Sequence, residues 1–203
     1  CGYCNVTHGT PKPPDAHEPV KVASAIATLA LDYVVITSVD RDDLADCGAG
    51  HFARTIAETR VRIASCRLEV LIPDFKGRWD ALQVVLDARP DVLNHNVETV
   101  PRLYRQARSG ASFPRSLELL KRSKDAGLLT KSGVMVGLGE EWAEIEETIQ
   151  AIRSSGTDIL TVGQYLRPSL QHLPVLRYYS PEEFEALRAF ALGLGFGHVE
   201  SGP

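Results

Sequence analysis

The sequence predicts an α/β fold of parallel strands, arranged as an incomplete TIM-type barrel. Short apolar runs alternate with amphipathic stretches along the chain, which is the pattern of repeated βα units. The runs are almost continuously apolar, as expected of strands buried on both faces. A closed eightfold barrel usually needs about 250 residues, whereas this chain has 203. Five or six βα units therefore fit, and a doubly wound open sheet is the alternative.

Five apolar runs are the predicted strands. Each is short and rich in branched aliphatic residues, and an amphipathic stretch or turn residues separate it from the next. In chain order, the predicted strands cover 33–37, 68–72, 91–94, 134–136 and 159–162.

Amphipathic stretches between these runs are the predicted helices. Pro19 suits a first helical turn, where its missing N–H costs nothing. Gly156 can end one helix, and Ser180 to Glu183 form a capping box that opens the last helix, which stops near Gly193. The first predicted helix has an apolar face of Val22, Ile26 and Leu29. Three more helices cover about 51–62, 78–88 and 115–125. The fifth has an apolar stripe of Trp142, Ile145, Ile149 and Ile152, and the sixth begins at Ser180.

Composition limits the class of protein. Hydrophobic residues make up 44% of the chain, no linker divides it, and we expect one domain over 1–203. The net charge of −4, without a run of Lys or Arg, disfavours nucleic acid or a membrane surface as a partner. No apolar run reaches the roughly 18 residues of a transmembrane helix. Four cysteines make no disulfide framework, so we expect a reducing, cytoplasmic location, or an organelle if a transit peptide precedes Cys1.

Polar clusters follow three of the predicted strands. They are Thr37 to Asp43, Asn94 to Thr99, and Gly163 to Pro168. Ligands bind at the carboxyl ends of parallel strands, so clusters that converge there indicate a polar ligand. Each cluster also has a simpler interpretation. The aspartates could cap a helix, His95 could be a structural histidine, and Arg167 could be a surface residue.

Glycine flanks both ends of the strand in "GVMVGLGE", from Gly133 to Glu140. Glycine allows another group to approach the backbone closely, and a flat adenine ring is one such group. Glu140 could equally be an acidic residue in the first turn of the following helix.

The chain begins "CGYC", and three sites fit this spacing. A thioredoxin-type redox pair is disfavoured, because a turn-rich loop with three prolines follows Cys4 instead of a helix. Zinc needs four ligands, and neither Cys47 nor Cys66 belongs to a second CxxC motif. An iron–sulfur cluster that binds substrate at one iron needs only three cysteines, with the third upstream of Cys1.

The sequence resembles the lipoyl synthase family of radical S-adenosylmethionine enzymes. "CGYCNV" is similar to the end of the CxxxCxΦC cluster motif, and "GVMVGLGE" to the GxIxGxxE motif of the superfamily. More specific strings are "CNVTHGTPKPPD", "YVVITSVDRDDLADCGAGHFARTI", "VLIPDFKGR", "DVLNHNVETVPRLY", "SLELLKRSKDAG", "DILTVGQYLRPS" and "HLPVLRYYSPEEF". The resemblance runs from Cys1 to Pro203.

The resemblance implies a partial (β/α)6 barrel and a sulfur-inserting reaction. In the family, a 4Fe–4S cluster cleaves S-adenosylmethionine, and the resulting radical takes hydrogen atoms from C6 and C8 of an octanoyl chain. A second 4Fe–4S cluster supplies the sulfur. The implied partners are an octanoylated lipoyl carrier domain (of a 2-oxoacid dehydrogenase or the glycine-cleavage H protein) and an electron donor such as ferredoxin or flavodoxin. The cofactor performs the hard chemistry, and the protein positions it.

Comparison with the family also implies missing parts. We expect the chain to lack the first barrel strand, the upstream cysteine motif of the second cluster and the carboxyl-terminal "RSSY" segment. This piece alone should then be inactive, and about eight irons per chain after reconstitution would contradict that expectation. We expect Cys47 to be incidental, and Cys66 to be a buried thiol.

Site residues follow from the resemblance, and none is assigned as catalytic beyond the cluster ligands. Cys1 and Cys4 are the implied cluster ligands, and the backbone of Tyr3 contacts adenine. The remaining implied contacts are Thr37, Ser38 and Asp40 with the methionine amino group, Asn94 and Glu98 with the ribose and carboxylate, Gly137 with adenine, and Gln164 and Arg167 with the adenosyl or octanoyl end.

Three alternatives stay open. Another radical enzyme, similar to biotin synthase, would act on dethiobiotin. A non-redox aldolase-like barrel would use Lys131 as a Schiff-base amine, although Lys131 precedes its strand, away from the expected active face. A non-enzymatic module would only bind the carrier.

Overall fold

The computed structural model describes residues 2–6 and 9–203 and divides the chain into two compact units. One unit is formed by Cys1–Thr7 together with His95–Pro203, and the other by His8–Asn94. We call them the carboxyl unit and the amino unit. The single domain expected over 1–203 stays a prediction. None of the helices formed by the described residues has the length and apolar character that a membrane crossing requires.

The amino unit alternates helices and parallel strands. Its strands are adjacent in chain order, β1 pairing with β2 and β2 with β3. A 3₁₀ turn at Phe75–Gly77 follows β2. The elements are α1 (Glu18–Thr28), β1 (Tyr33–Thr37), α2 (Ala49–Arg62), β2 (Arg67–Leu71), α3 (Trp79–Asp87) and β3 (Val92–Asn94).

Two details of the amino unit differ from expectation. Strand β1 is not buried on both faces, because Tyr33 and Val35 are 46% and 48% exposed. Val34 and Ile36, which alternate with them, are half-buried, so β1 is packed on one face only. Leu29 was expected on the packed face of α1, but it lies beyond the last helical residue and is 67% exposed. Cys66 is a buried thiol, as predicted.

The carboxyl unit has the same alternation and three further parallel strands. Strand β4 pairs with β5, and β5 with β6. A 3₁₀ turn at Pro101–Leu103 precedes its first helix. The elements are α4 (Tyr104–Ala107), α5 (Phe113–Asp125), β4 (Leu129–Val136), α6 (Trp142–Ser154), β5 (Ile159–Gln164), α7 (Pro181–Gly193) and β6 (His198–Gly202).

Local sequence explains the helix boundaries of the carboxyl unit. The Ser180 hydroxyl accepts from the Glu183 N–H at 3.3 Å, and the Glu183 carboxylate accepts from the Ser180 N–H at 2.9 Å. This is the predicted capping box, with Pro181 in the first turn. The predicted stripe on α6 is also confirmed, because Ile145, Ile149 and Ile152 are fully buried in the core of this unit.

The prediction omitted two elements. Strand β6 contains a single branched aliphatic residue, Val199, between polar neighbours, so its apolar signal is weak. Helix α4 has only four residues, fewer than a periodic pattern needs. The α/β class with parallel strands is otherwise confirmed.

Candidate functional site

A pocket of about 320 Å³ lies in the carboxyl unit, at the carboxyl halves of its three strands. This is where ligands bind in parallel α/β proteins. Its lining includes three glycines, which leave room beside the backbone, and five polar residues. The lining residues are Asn96, Glu98, Gly133 to Met135, Thr161 to Gly163, and Glu200 to Pro203.

The backbone of Glu98 is fixed to strand β4. Its N–H donates to the Gly133 carbonyl at 2.9 Å, and its carbonyl accepts from the Met135 N–H at 2.8 Å. Its φ of 72° lies in the left-handed region, which a residue with a side chain rarely adopts. Such strain persists where the surroundings impose it, often at functional sites. The two strand contacts impose it here.

The Glu98 side chain belongs to a polar network with residues from three segments. Its carboxylate forms hydrogen bonds with the side chains of Asn96 and Tyr3, and the Arg108 charge acts on it. Burial nevertheless raises the pKa of Glu98, because desolvation outweighs those three favourable contacts. A positively charged ligand group beside Glu98 would therefore favour the ionised form of its carboxyl group.

Arg108 brings a positive charge to the same network. Its guanidinium donates to the Val97 carbonyl at 3.1 Å and to the Tyr104 hydroxyl at 3.2 Å. Burial opposes the charge, but Tyr104, Tyr3 and Glu98 together raise the pKa of Arg108. Its buried Nε has no hydrogen-bond partner among the described residues. A buried donor without an acceptor is costly in a native protein, so an acceptor brought to this nitrogen would remove that cost, although Arg108 is not among the residues that line the pocket.

The cysteine segment lies in the same unit. Cys4 is half-buried and forms no disulfide. The Gly2 N–H donates to the Ala107 carbonyl at 2.8 Å, and the His172 ring contacts the Cys4 carbonyl at 3.0 Å. A partly accessible thiol on a fixed backbone suits a cluster ligand. Cys1 lies outside the described residues, and residues 2–6 and 9–203 contain no group of three potential metal ligands.

Gln164 and Gly137 hold the segment after β5 in place instead of lining the pocket. The Gln164 amide donates to the Val136 and Arg177 carbonyls and accepts from the Tyr179 N–H. A Cβ at Gly137 would lie 2.3 Å from the Gln164 amide nitrogen, so the amide fills the space that glycine leaves. Their predicted contacts with adenine stay predictions.

Arg167 lies in the loop after β5. Its guanidinium donates to the carbonyls of His172 and Leu170, at 2.9 and 2.5 Å. These bonds close the loop on itself, and Arg167 does not line the pocket. Its predicted contact with the adenosyl or octanoyl end stays a prediction.

The other predicted residues belong to the amino unit. Thr37 and Ser38 line a separate pocket of about 470 Å³, and Asp40 is exposed in the loop after β1. Asn94 is buried at the end of β3, where its amide nitrogen donates to the Glu69 carboxylate at 2.7 Å. Its amide oxygen has no hydrogen-bond partner among the described residues. Their roles toward S-adenosylmethionine stay predictions.

Three further residues named from the sequence, His95, Lys131 and Cys47, do not line the pocket. His95 is buried and its ring contacts the Ser116 hydroxyl at 2.9 Å, which agrees with the simpler interpretation. Lys131 is the third residue of β4, so it lies inside the strand and not before it as predicted, but it is in the amino-terminal half, away from the carboxyl end. Cys47 is buried beside the Phe75 carbonyl.

Asn96 and Arg108 are not predicted as site residues by the sequence. Asn96 lies within the predicted polar cluster 94–99, but the prediction chose its neighbour Asn94. No local signal distinguishes Arg108 among the 22 Lys and Arg residues of the chain.

Three comparisons relate the chain to known proteins. The family described as "Radical SAM superfamily" matches residues 1–152. Proteins named lipoyl synthase align over the whole chain, at 56% identity in Pseudoalteromonas translucida, 55% in Escherichia fergusonii and 54% in Chloroflexus aggregans. The chain spans 64% of the first two proteins and 67% of the third.

Solved structures resemble the chain in fold. SuiB of Streptococcus suis, bound to S-adenosylmethionine, matches with a TM-score of 0.73 at 12% identity over the whole chain and 47% of its own. Methylornithine synthase matches with a TM-score of 0.67 at 14% identity, over 99% of this chain and 67% of its own. Coproporphyrinogen III oxidase of Escherichia coli, described as a radical SAM enzyme, matches with a TM-score of 0.63 at 14% identity, over 87% and 44%.

Proposed function

Because this chain belongs to the radical S-adenosylmethionine superfamily and, within it, to the lipoyl synthase family, we propose that it is the core of a lipoyl synthase. The expected fold class, a partial TIM-type barrel of parallel strands, is confirmed by the structural matches. The family implies a 4Fe–4S cluster and S-adenosylmethionine as cofactors. The proposed reaction inserts two sulfur atoms, at C6 and C8 of a protein-bound octanoyl group.

The observation that supports this proposal is the polar network around Glu98 beside the pocket. S-adenosylmethionine has an ammonium group, a carboxylate and two ribose hydroxyls. The Glu98 carboxylate and the Asn96 amide offer acceptors for ammonium or hydroxyl groups. The buried Arg108 Nε offers a donor to a carboxylate or another oxygen acceptor. One network therefore offers both kinds of partner that this zwitterion needs.

Glycines give a ligand access to the backbone of β4 and β5. A Cβ at Gly133 would lie 2.7 Å from the Thr161 hydroxyl and 2.8 Å from the Asn96 amide oxygen. Glycine at this position therefore lets Asn96 approach the strand beside the pocket. At Gly163 the nearest atom to an added Cβ lies 4.0 Å away, so that part of the pocket is open. A flat ring can reach the strands there.

We assign Cys4, and with it Cys1, as ligands of the cluster. The Cys4 thiol is half-buried and not in a disulfide, so it is free to ligate iron. When bound, the cluster supplies the electron that cleaves S-adenosylmethionine. The chain's own residues fix the cysteine backbone, bind the polar groups of the ligand and shield its apolar parts from water. A second cluster, as sulfur donor, belongs to the proposal for the whole protein.

The proposed partners are macromolecular. The octanoyl group is attached to a lipoyl carrier domain, either of a 2-oxoacid dehydrogenase or of the glycine-cleavage system. A small electron-transfer protein such as ferredoxin or flavodoxin supplies the electrons. Nucleic acid and membranes are not proposed as partners, and the proposed location is the cytoplasm.

Calorimetry of S-adenosylmethionine binding tests the site. We expect Glu98→Gln in the anaerobically reconstituted protein to weaken binding about tenfold, the loss of roughly one charge-assisted hydrogen bond. The matched control is Glu147→Gln, at an exposed position of α6. An unchanged dissociation constant for the Glu98 variant would overturn the assignment. In the whole protein, turnover of an octanoylated carrier domain, and not of dethiobiotin, distinguishes the proposed reaction from that of a biotin-synthase-like enzyme.

A further inference from the structure

We propose that His172 is a positioning residue that holds the Cys4 backbone for cluster binding. The proposal rests on the assignment of Cys4 as a cluster ligand in the proposed function. All the contacts that support it lie in the carboxyl unit. They join the loop after β5 to the segment that contains Cys4.

The cysteine segment is bound from two sides. The Gly2 N–H donates to the Ala107 carbonyl at 2.8 Å, and the Gly2 carbonyl accepts from the Leu173 N–H at 2.9 Å. A Cβ at Gly2 would lie 2.9 Å from the Gln106 carbonyl oxygen and 3.1 Å from the Leu173 side chain. The approach is therefore close enough to favour glycine. These bonds fix the segment two residues before Cys4.

His172 holds the other end of the segment. Its Nε2 lies 3.0 Å from the Cys4 carbonyl oxygen, and its Nδ1 lies 2.8 Å from the Ser169 hydroxyl. A carbonyl oxygen only accepts, so Nε2 bears the hydrogen. In the neutral ring, Nδ1 then accepts from the Ser169 hydroxyl. Contacts at both nitrogens fix the orientation of the ring.

The loop that contains His172 is itself closed. Arg167 donates to the His172 carbonyl at 2.9 Å, and the Tyr165 hydroxyl donates to the Leu173 carbonyl at 2.9 Å. Tyr165, the residue after β5, thus anchors the loop at Leu173. The loop fixes His172, and His172 contacts the Cys4 carbonyl. Arg167 acts here through His172, a role the sequence did not predict.

The hydrogen bond to the Cys4 carbonyl acts directly on the backbone of a cluster ligand. Fixing it restricts the peptide after Cys4 and so the direction of the thiolate. Residues that orient metal ligands typically change metal affinity 10–100-fold when they are replaced. We infer that the cysteine segment is pre-organised before iron arrives. The contact should therefore be measurable in the iron-free protein.

Three variants test the proposal in the protein as its gene encodes it. His172→Ala removes the donor, whereas His172→Gln supplies an amide N–H near the position of Nε2 and should restore the bond. His17→Ala, at an exposed position in the amino unit, controls for loss of an imidazole. Thermal unfolding of each variant shows that it folds.

Two measurements follow. In iron-free protein, hydrogen exchange of the peptide that contains Gly2 to Val6 should be about tenfold faster in His172→Ala and unchanged in the other two variants. After anaerobic reconstitution, iron loss to a chelator should be about tenfold faster in His172→Ala, and within twofold of the unsubstituted rate in His172→Gln.

Each outcome is decisive. Unchanged exchange or unchanged iron loss in His172→Ala would overturn the positioning role, as would a Gln variant that behaves like the Ala variant. If the unsubstituted protein bound no iron although exchange responded as expected, the assignment of Cys4 as a ligand would fail, and the positioning role would fail with it.

Discussion

The Tyr179 hydroxyl donates a hydrogen bond of 2.9 Å to the buried carboxylate of Glu140. The same carboxylate accepts from the backbone N–H groups of Gly137 and Leu138, at 2.6 and 2.9 Å. Burial and the nearby Glu140 charge raise the pKa of Tyr179 well above its usual range, so it stays a donor. Glu140 lies before α6, whose N-cap is Glu141, so the interpretation of Glu140 as an acidic residue of the first helical turn is wrong. Glu140 joins the turn after β4 to the segment before α7.

Tyr179→Phe should lower the free energy of unfolding by about 1.5–3 kcal/mol, the range for a hydrogen bond to a charged group. The ring packing against Phe184 remains in the variant. Urea unfolding at pH 7 measures the change. Tyr178→Phe is the control, because Tyr178 is 70% exposed and should change stability little. Equal effects at the two positions would show that the bond to Glu140 contributes nothing.

Glu98→Gln should stabilise the protein at high pH while it weakens ligand binding. Burial raises the pKa of Glu98 in the folded state. Its contribution to stability is then fully present below the unfolded value of about 4.3 and is lost as pH rises through the folded pKa. Glutamine does not ionise and avoids that loss. Such a conflict between stability and binding is common at functional sites.

Unfolding free energies of both proteins, measured from pH 4 to pH 9, test this prediction. The advantage of the Gln variant should grow as pH rises above the unfolded value of about 4.3 and should level off above the folded-state pKa. Each kcal/mol gained should raise the thermal midpoint by about 2–4 °C. A constant difference across the whole pH range would contradict the assigned cause.

Asp158→Asn should lose stability with the opposite pH dependence. Burial acts to raise the Asp158 pKa, but the ion pair with Lys124 at 2.6 Å and the hydrogen bonds from Thr130 outweigh it and lower that pKa. The stability is present above the unfolded value of about 3.9 and is lost as pH falls through the folded pKa. We expect a loss of about 1–3 kcal/mol at pH 7.

Asp125→Asn is the matched control for Asp158. Asp125 pairs with Lys121 at 2.6 Å, but both side chains are more than half exposed. Surface pairs of this kind contribute about 0–1 kcal/mol. The two variants should therefore differ at pH 7 and converge as pH falls below the unfolded value of about 3.9 and through the folded pKa of Asp158. Equal losses at pH 7 would show that burial of Asp158 is unimportant.

Gly133→Ala should impair ligand binding more than stability. The added Cβ would lie 2.8 Å from the Asn96 amide oxygen, so the Asn96 side chain must move away from the pocket. We expect S-adenosylmethionine affinity to fall about tenfold, or roughly 1.4 kcal/mol. Gly193→Ala, where an added Cβ meets nothing within 4 Å, is the control and should leave affinity unchanged. Equal affinity in the two variants would remove Asn96 from the site.

Most of the elements were predictable because their signals are local. The stripe on α6 and the capping box at Ser180 depend on residues within one or two turns, and both are found in the structure. Strand β6 was not predicted, because it is defined by pairing with β5 and not by its own apolar pattern.

The site was predictable only in part, for a similar reason. The motif 94–99 identified the polar cluster, and Glu98 lines the pocket. The choice between Asn94 and Asn96 depends on where β3 ends and how the chain then turns, which periodicity does not give. Arg108 donates to the Val97 carbonyl and the Tyr104 hydroxyl, and no apolar periodicity or motif predicts these contacts.

The segment between β5 and α7, from 165 to 180, contains no helix or strand, yet side chains hold it along its length. Gln164 holds it at Arg177 and Tyr179, and Arg167 closes its first half. Surface loops usually tolerate insertions and deletions. This one should not, because one added residue would move His172 out of reach of Cys4. Its length, more than its composition, should distinguish working homologues and engineered variants from failed ones.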